Sequence, residues 1–446
     1  MVTMRLLSPT RRTIFSFASI LLVVAVLGCA ATIPFVWPST SLWYKTGSDK
    51  LVLQIGKVFG LCAAVLFFVQ ILLVQRLVIF DRIWGLDRLS FFHRINSFLI
   101  LALAITHSGL VILPEGLDNL PIGREFWPEM VGAALVITLA FFIAVALYRR
   151  RLLAYDVWRK VHRPVGYLLA VVLIIHIFNV SDSFETGVPR GGLWVFIGAI
   201  VLTIILAKYL TARMTLKQLP VSAGRQAGEG VVGLRIEVPS SFSYAPGQFA
   251  FLSLHGGGIA PETHPFSISS APDFPTKRSS SIEFFIKQCG DWTSTITPET
   301  GLQASLTGPF GLFSYKARPL PPMIVCIGGG IGITPLLSMI RQLSTEQDAP
   351  KLMLVWSVTR KSDMFLSEEL TELQSRLPFL HTHIIYTGGE GGRRLHEESL
   401  SALLKDVPDN SHFYICGPEP MMSDIRGHLQ QLRYLRKSIF WERFSL

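Results

Sequence analysis

Cysteine is scarce in this chain, five residues in 446 (Cys29, Cys62, Cys289, Cys326 and Cys416), with no CxxC pair and no zinc or iron–sulfur spacing. That leaves no basis for a disulfide framework. Charge is sparse as well, at 16% of residues, and acidic residues are outnumbered 31 to 41 by lysine and arginine. A net charge of +10 could suggest nucleic acid. The cations, however, sit beside long apolar runs, a placement that fits an anionic membrane leaflet and argues against nucleic-acid binding. No EF-hand loop is present and no long N-terminal domain precedes the first apolar run, so activity independent of calcium and of an obligatory protein activator is expected.

Half of the residues are apolar, and they are concentrated before about residue 211. Six stretches, near 13 to 35, 51 to 74, 90 to 113, 128 to 148, 160 to 180 and 192 to 210, are long enough to span a bilayer, which takes about 20 residues. The first follows Arg5, Arg11 and Arg12 as a signal peptide would, but its length favours a retained helix. Loop charges set the orientation. Arg76, Arg82 and Arg88, and then Arg149, Arg150, Arg151, Arg159 and Lys160, mark cytoplasmic loops, whereas Glu115, Asp118, Glu125, Asp182 and Glu185 lie on the opposite side. Both termini then fall on the cytoplasmic side.

Four histidines interrupt the third and fifth runs at one repeated spacing: His93 and His107, and His162 and His176. Fourteen steps of helix are close to four turns, so each pair lies near one face, separated by roughly 21 Å along the axis. Polar side chains in a membrane helix usually face a partner within the bundle. A lone histidine there is commonly a hydrogen-bonded packing residue. Four in register can instead supply the axial ligands of two stacked haems, His93 with His162 and His107 with His176. Arg94 and Arg163, next to the inner pair, suit haem propionates or simply snorkel to the interface.

From Leu216 the pattern changes to short β-type runs with polar turns, VVGLRIEV, GQFAFLSL, HPFSISS, IEFFIKQ and LQASLTGPFG, which suggests a small antiparallel barrel. After RPLPP, at 318 to 322, strand and helix alternate as in a doubly wound parallel sheet. Gly328, Gly329, Gly330 and Gly332 follow its first strand and open a helix, the arrangement that admits a dinucleotide pyrophosphate. The expected domains are 1–212, a six-helix all-α transmembrane bundle; 213–317, an antiparallel β-barrel; and 318–446, an α/β nucleotide-binding domain.

With HPFSISS, GDWT, GPFG, GGGIGITP, CGPEPMM and WERF occurring in that order beside the paired histidines, the chain resembles the NADPH oxidase and ferric reductase family, in a bacterial-type form. Its soluble half is similar to the ferredoxin–NADP reductases. The resemblance implies FAD on the barrel, held by His264, Pro265, Phe266, Ser267, Gly290, Trp292 and Thr293. His264 stands where many of those reductases carry an arginine, with Lys287 as a compensating cation. It implies a nicotinamide nucleotide on Gly328 to Gly332, Thr334 and Pro335. Cys416 and Gly417 would face the nicotinamide, and Phe444 would cover the flavin; Cys416 and Phe444 are the expected catalytic-site residues. Arg360, Lys361, Arg393 and Arg394, after the second and third strands of the sheet, favour NADPH, with NADH as the other possibility.

The implied activity carries electrons from cytosolic NADPH through FAD and two b-type haems to an extracytoplasmic acceptor. Dioxygen giving superoxide is the first expectation and a ferric chelate the alternative. A flavin-free cytochrome b conduit to a partner protein is a further alternative, opposed by HPFSISS and GGGIGITP together. The expected location is the bacterial inner membrane, in contact with its lipid.

Overall fold

The computed structural model describes residues 6–116, 120–152, 155–272, 281–298, 301–388 and 395–443. Among the described residues six helices are long and apolar enough to cross a membrane, and the protein is an integral membrane protein. They are α1 (Pro9–Val36), α2 (Gly47–Leu73), α4 (Leu86–Ile112), α5 (Trp127–Leu152), α6 (Tyr155–Val180) and α7 (Gly187–Met214), with a short helix α3 (Val78–Trp84) between the second and third spans. The spans expected from the apolar runs lie within these helices or one residue beyond them. Large apolar side chains point outward along their length, among them Phe17, Ile137 and Val195 at 68%, 69% and 74% exposure. Apolar faces of this extent suit a lipid environment. Inward, Ala64, Ile177 and Phe184 form one small core, and Phe68, Ala170 and Ile200 another.

The chain forms two compact units. One comprises Ile14–Leu77 and Arg88–Tyr209; the other comprises Met1–Thr13, Val78–Asp87 and Leu210–Leu446. Helix α3 therefore belongs with the C-terminal half of the sequence, a membership no apolar run announces.

That second unit contains an antiparallel sheet of six strands in the order β4-β3-β6-β1-β2-β5. The strands are β1 (Thr215–Gly228), β2 (Val231–Glu237), β3 (Phe249–His255), β4 (His264–Ser267), β5 (Ser281–Lys287) and β6 (Gln303–Phe310). Apolar residues on alternate positions fill its interior, with Val232, Leu234, Ile236, Leu252, Leu254, Phe284 and Ile286 fully or nearly fully buried. Strand β1 bends at register shifts so that it pairs with β6 at one end and β2 at the other. A backbone hydrogen bond from Ser269 to the Glu283 carbonyl, at 2.8 Å, joins the two ends of the sheet. The result is loosely a barrel.

The remaining sheet is parallel, in the order β11-β10-β7-β8-β9, built from β7 (Met323–Gly329), β8 (Lys351–Val358), β9 (Leu380–Tyr386), β10 (His412–Cys416) and β11 (Ile439–Glu442). Helices α8 (Ile333–Leu343), α9 (Ser367–Arg376), α10 (Glu397–Leu403) and α11 (Glu419–Gln431) follow its strands. The continuous apolar runs of β7 and β8 are those of strands covered on both faces. Ile324 and Cys326 join a core with Leu336 and Trp356, while Val325 and Ile327 join another with Phe413 and Leu429. The first strand, β7, lies between β8 and β10, so the chain direction across the sheet reverses there. In open α/β sheets such a reversal opens the crevice in which a nucleotide binds.

Candidate functional site

Within the membrane unit the four histidines are arranged by their neighbours. The His93 and His162 rings face each other with centroids 6.2 Å apart at an interplanar angle of 81°. His93 is fixed from α2: its Nδ1 lies 3.3 Å from the Gln70 carbonyl, and Gln70 donates through Nε2 to the His93 carbonyl at 2.8 Å. Asn96 in turn donates to the Gln70 side-chain oxygen at 2.8 Å. His162 stacks on Trp158 at 4.6 Å, with Phe142 beyond it at 6.3 Å.

The second pair is seated by a device that occurs twice. His107 Nδ1 lies 2.8 Å from the Gly56 carbonyl, and a Cβ at Gly60, one turn later, would come within 2.8 Å of its ring. His176 Nδ1 lies 2.8 Å from the Pro128 carbonyl, and a Cβ at Gly132, again one turn later, would come within 2.5 Å of its ring. Each imidazole thus lies across a glycine with Nδ1 on the preceding turn's carbonyl. A ring whose Nδ1–H is given to a carbonyl keeps its lone pair on Nε2, the form that binds a metal. Three of the four histidines are held in this way.

Sequence reasoning found the histidines but missed Gln70, Gly56, Gly60 and Gly132. The GxxxG spacing of Gly56 and Gly60 was the available signal of a close approach. It also missed Lys57, which donates to Ser39 and to Ser41 (2.8 Å) and lies within electrostatic reach of His107 and Asp182.

In the second unit three of the residues expected to hold the flavin, His264, Phe266 and Trp292, come together. His264 stacks on Trp292 at 4.6 Å, and Phe266 lies nearly parallel to the same indole at 6.1 Å. The indole is anchored by its N–H to the Ala260 carbonyl at 2.7 Å. His264 Nε2 pairs with Glu262 at 2.9 Å, so this histidine carries its own carboxylate and is no simple replacement for a phosphate-binding arginine. Thr293 Oγ1 accepts from the amides of Cys289 and Gly290 at 3.1 and 3.0 Å and closes the GDWT turn. Pro265 and Ser267 sit opposite Phe251 and Phe249 in the β3–β4 pairing. Lys287 ends β5, exposed, opposite Val231.

At the reversal of the parallel sheet, two loops meet backbone to backbone. Gly328 is in register with Cys416. A Cβ on Gly332 would strike the Cys416 carbonyl, and one on Gly417 would come within 3.1 Å of Gly329. Gly330 has φ +53 and gives its carbonyl to the Trp356 indole at 2.9 Å. Thr334, buried, donates to the Ile331 carbonyl at 3.0 Å, and Pro335 follows in the first turn of α8. Only backbone without side chains can pack this closely, and the loop leaves its amides at a helix N-terminus.

Burial pushes the Cys416 thiol well above its ordinary value; its Sγ contacts the Glu442 carbonyl at 3.7 Å. It offers no thiolate. Arg360 and Lys361 stand exposed just beyond β8, where the Arg360 amide donates to Asp363 at 2.9 Å. Arg393, Arg394 and Phe444 lie outside the described residues.

One carboxylate reaches this unit from α3. Asp81, 2% exposed, accepts from the amide of Gly311 at 3.0 Å and from that of Leu86 at 3.1 Å. Gly311 ends the GPFG motif. Burial pushes the Asp81 carboxyl up to about 6, although both amides pull it down. Glu442, in the WERF motif, is also raised well above its usual range, first by burial and then by Asp87 and Asp81.

Three family models match along the chain: a ferric reductase like transmembrane component over residues 59–175, an FAD-binding domain over 216–310, and an oxidoreductase NAD-binding domain over 326–427. The reductase component of propane 2-monooxygenase from Mycolicibacterium goodii is 28% identical over 229 residues, 48% of this chain and 64% of that protein. NADH-cytochrome b5 reductase 1 from Cryptococcus neoformans is 30% identical over 150 residues, 30% of this chain and 50% of that one. This chain thus spans less than two thirds of the length of these curated relatives. A ferredoxin NADP+ reductase from Neisseria gonorrhoeae, solved with FAD and NADP, overlaps 51% of this chain and 98% of its own at 19% identity and a TM-score of 0.44.

The matched models give a ferric reductase-like transmembrane component followed by an FAD-binding domain and an oxidoreductase NAD-binding domain. The three domains in this order constitute the NADPH oxidase and ferric reductase-type architecture.

Proposed function

We propose that the protein passes electrons from cytosolic NADPH across the bacterial inner membrane to dioxygen, with FAD and two b-type haems as its cofactors. Among the described residues no group of three or more His, Cys, Asp or Glu surrounds a common metal position. A haem iron would need only two imidazoles from the chain, one from each of two helices. The observation that carries the reading is the His93 and His162 pair. Two imidazole nitrogens about 2 Å from one metal put the ring centres roughly 6 Å apart, and these rings stand at 6.2 Å. His107 and His176 would hold the second haem, each with Nε2 left free by its carbonyl. When bound, the flavin takes hydride and releases single electrons, and the haems carry single electrons.

The residues of the chain bind and orient. Gly328 to Gly332 with Thr334 cradle the nucleotide, and the cations Arg360 and Lys361 favour its 2′-phosphate. His264, Phe266 and Trp292 form an aromatic wall for the flavin. No side-chain nucleophile is required, consistent with the protonated Cys416 thiol. Lys57, within electrostatic reach of His107, would stabilise the negative charge that one-electron reduction of dioxygen creates. The loop charges support a cytoplasmic location for both termini. No protein activator is invoked.

The test is spectral and kinetic. Purified protein should show a Soret band that each of His93→Ala, His107→Ala, His162→Ala and His176→Ala reduces by about half. With NADPH and FAD it should release superoxide, and Lys57→Met should lower that rate at least fivefold with the Soret band intact. A colourless protein refutes the haem assignment. Chelate reduction that persists without oxygen and is insensitive to superoxide dismutase assigns the acceptor to ferric iron instead.

A further inference from the structure

The HPFSISS segment is held from behind by α8, the helix that begins at the nucleotide-binding glycines. Every residue of α8 is buried, yet its last turn carries a cation, Arg341, 6% exposed. A buried guanidinium is tolerated only with partners. Arg341 binds Glu369 with two nitrogens, Nε at 2.5 Å and Nη2 at 2.8 Å, and Nη1 donates to Glu283 at 2.8 Å. The same Nη1 also donates to the backbone carbonyl of Ser269 at 2.9 Å.

Three residues earlier on the same helical face, Ser338 Oγ donates to the carbonyl of Ser270 at 2.5 Å. Two consecutive peptide groups, immediately downstream of Phe266 and Ser267, are therefore tied to one face of α8. Ser270 Oγ accepts from the Glu283 amide at 3.0 Å and meets the Tyr244 hydroxyl at 2.9 Å, which stiffens the tied segment from the sheet side.

We propose that Arg341 is a positioning residue for hydride transfer: through Ser269 and Glu283 it sets the flavin-carrying segment at a fixed distance from the nucleotide loop at the other end of its own helix. The inference rests on the reading that Phe266 and Ser267 carry the flavin. Hydride passes only when donor carbon and acceptor nitrogen approach to about 3 to 3.5 Å, and a displacement of about 1 Å can cost 100-fold in rate. Glycines at the start of α8 locate the nucleotide, so any slip of α8 against segment 264–270 enters that distance directly. A planar fork bridging three acceptors suits the task, and a lysine at the same place, a point charge on a flexible stem, does not. A cavity of about 820 Å³ opens beside Arg341, Glu283 and Glu369, so a shorter cation there can still be hydrated and the fold retained.

The experiment uses full-length protein in detergent and the variants Arg341→Lys and Ser338→Ala. For Arg341→Lys the expected result is FAD and NADP+ dissociation constants within about threefold of wild type, an unchanged KM for NADPH, and anaerobic flavin reduction at saturating NADPH slowed at least tenfold. In the cofactor-free protein, hydrogen–deuterium exchange over residues 266–270 should accelerate at least tenfold. Ser338→Ala should change both readouts in the same direction by a smaller factor. Wild-type flavin reduction in Arg341→Lys overturns the proposal. So does a loss of melting temperature and FAD affinity in step with the rate, with exchange over 266–270 unchanged, since that marks a purely structural role. If wild type itself takes up no FAD, the flavin reading fails and this inference falls with it.

Discussion

The contact made by Asp81 yields a prediction with a definite sign. Its carboxyl moves from 3.8 to about 6 on folding, mainly because it is buried. The folded state therefore holds the proton more tightly than the unfolded chain, and stability falls as pH rises from the unfolded value through the folded one. Linkage puts the loss between about pH 5 and pH 7.5 at roughly 1.4 kcal/mol. Asp81→Asn abolishes this titration and keeps an acceptor for one of the two amides, at 3.0 and 3.1 Å, at a pH-independent cost of about 1 kcal/mol for the other. Because the Asp81 charge also raises Glu442, the substitution removes part of that slope too. For a domain of this size 1 kcal/mol corresponds to about 2 to 4 °C. Thermal melts followed by tryptophan fluorescence should show the wild type losing roughly 3 to 5 °C more than Asp81→Asn between the two pH values. An equal drop in both proteins, or a larger one in the variant, refutes the reasoning.

Gly132→Ala places a methyl group 2.5 Å from the His176 ring and Gly60→Ala one 2.8 Å from His107. Disturbing the groups that orient a metal-binding histidine typically costs 10-fold to 100-fold in affinity, so each variant should elute as a folded protein with its Soret absorbance reduced toward half. Arg360→Ala should raise the KM for NADPH about tenfold, the order expected for losing one charged hydrogen bond, and leave that for NADH unchanged. Steady-state assays with both nucleotides check it, and an equal effect on the two would remove Arg360 from 2′-phosphate recognition.

What the sequence revealed and what it hid divide along physical lines. Strands β7 and β8 are legible in the sequence because a strand buried on both faces is one apolar run between turn signals. The spans were visible for the corresponding reason in lipid. Strand β1 was not, since it bends between two partners and interrupts its alternation at each bend. The histidines of the membrane unit announced themselves by spacing, but the carbonyls of Gly56 and Pro128 that orient two of them carry no side-chain signal at all. Glu283 and Glu369 lie 58 and 28 residues from Arg341 in sequence, and no local periodicity brings such a cluster together. Motif resemblance located the cofactor segments; it could not show what stands behind them.

Helix α3 packs against β6 and has Val78, Asp81 and Ile83 buried, while Arg12 donates to its Ile83 carbonyl at 2.6 Å. The reductase module is thus assembled from polypeptide that the genetic order scatters across three places. A fragment cut at residue 210 would leave the Gly311 amide without its acceptor and strip an apolar cover from β6. Excision at that apparent boundary removes part of the same compact unit, so a truncation beginning there should melt below the full chain.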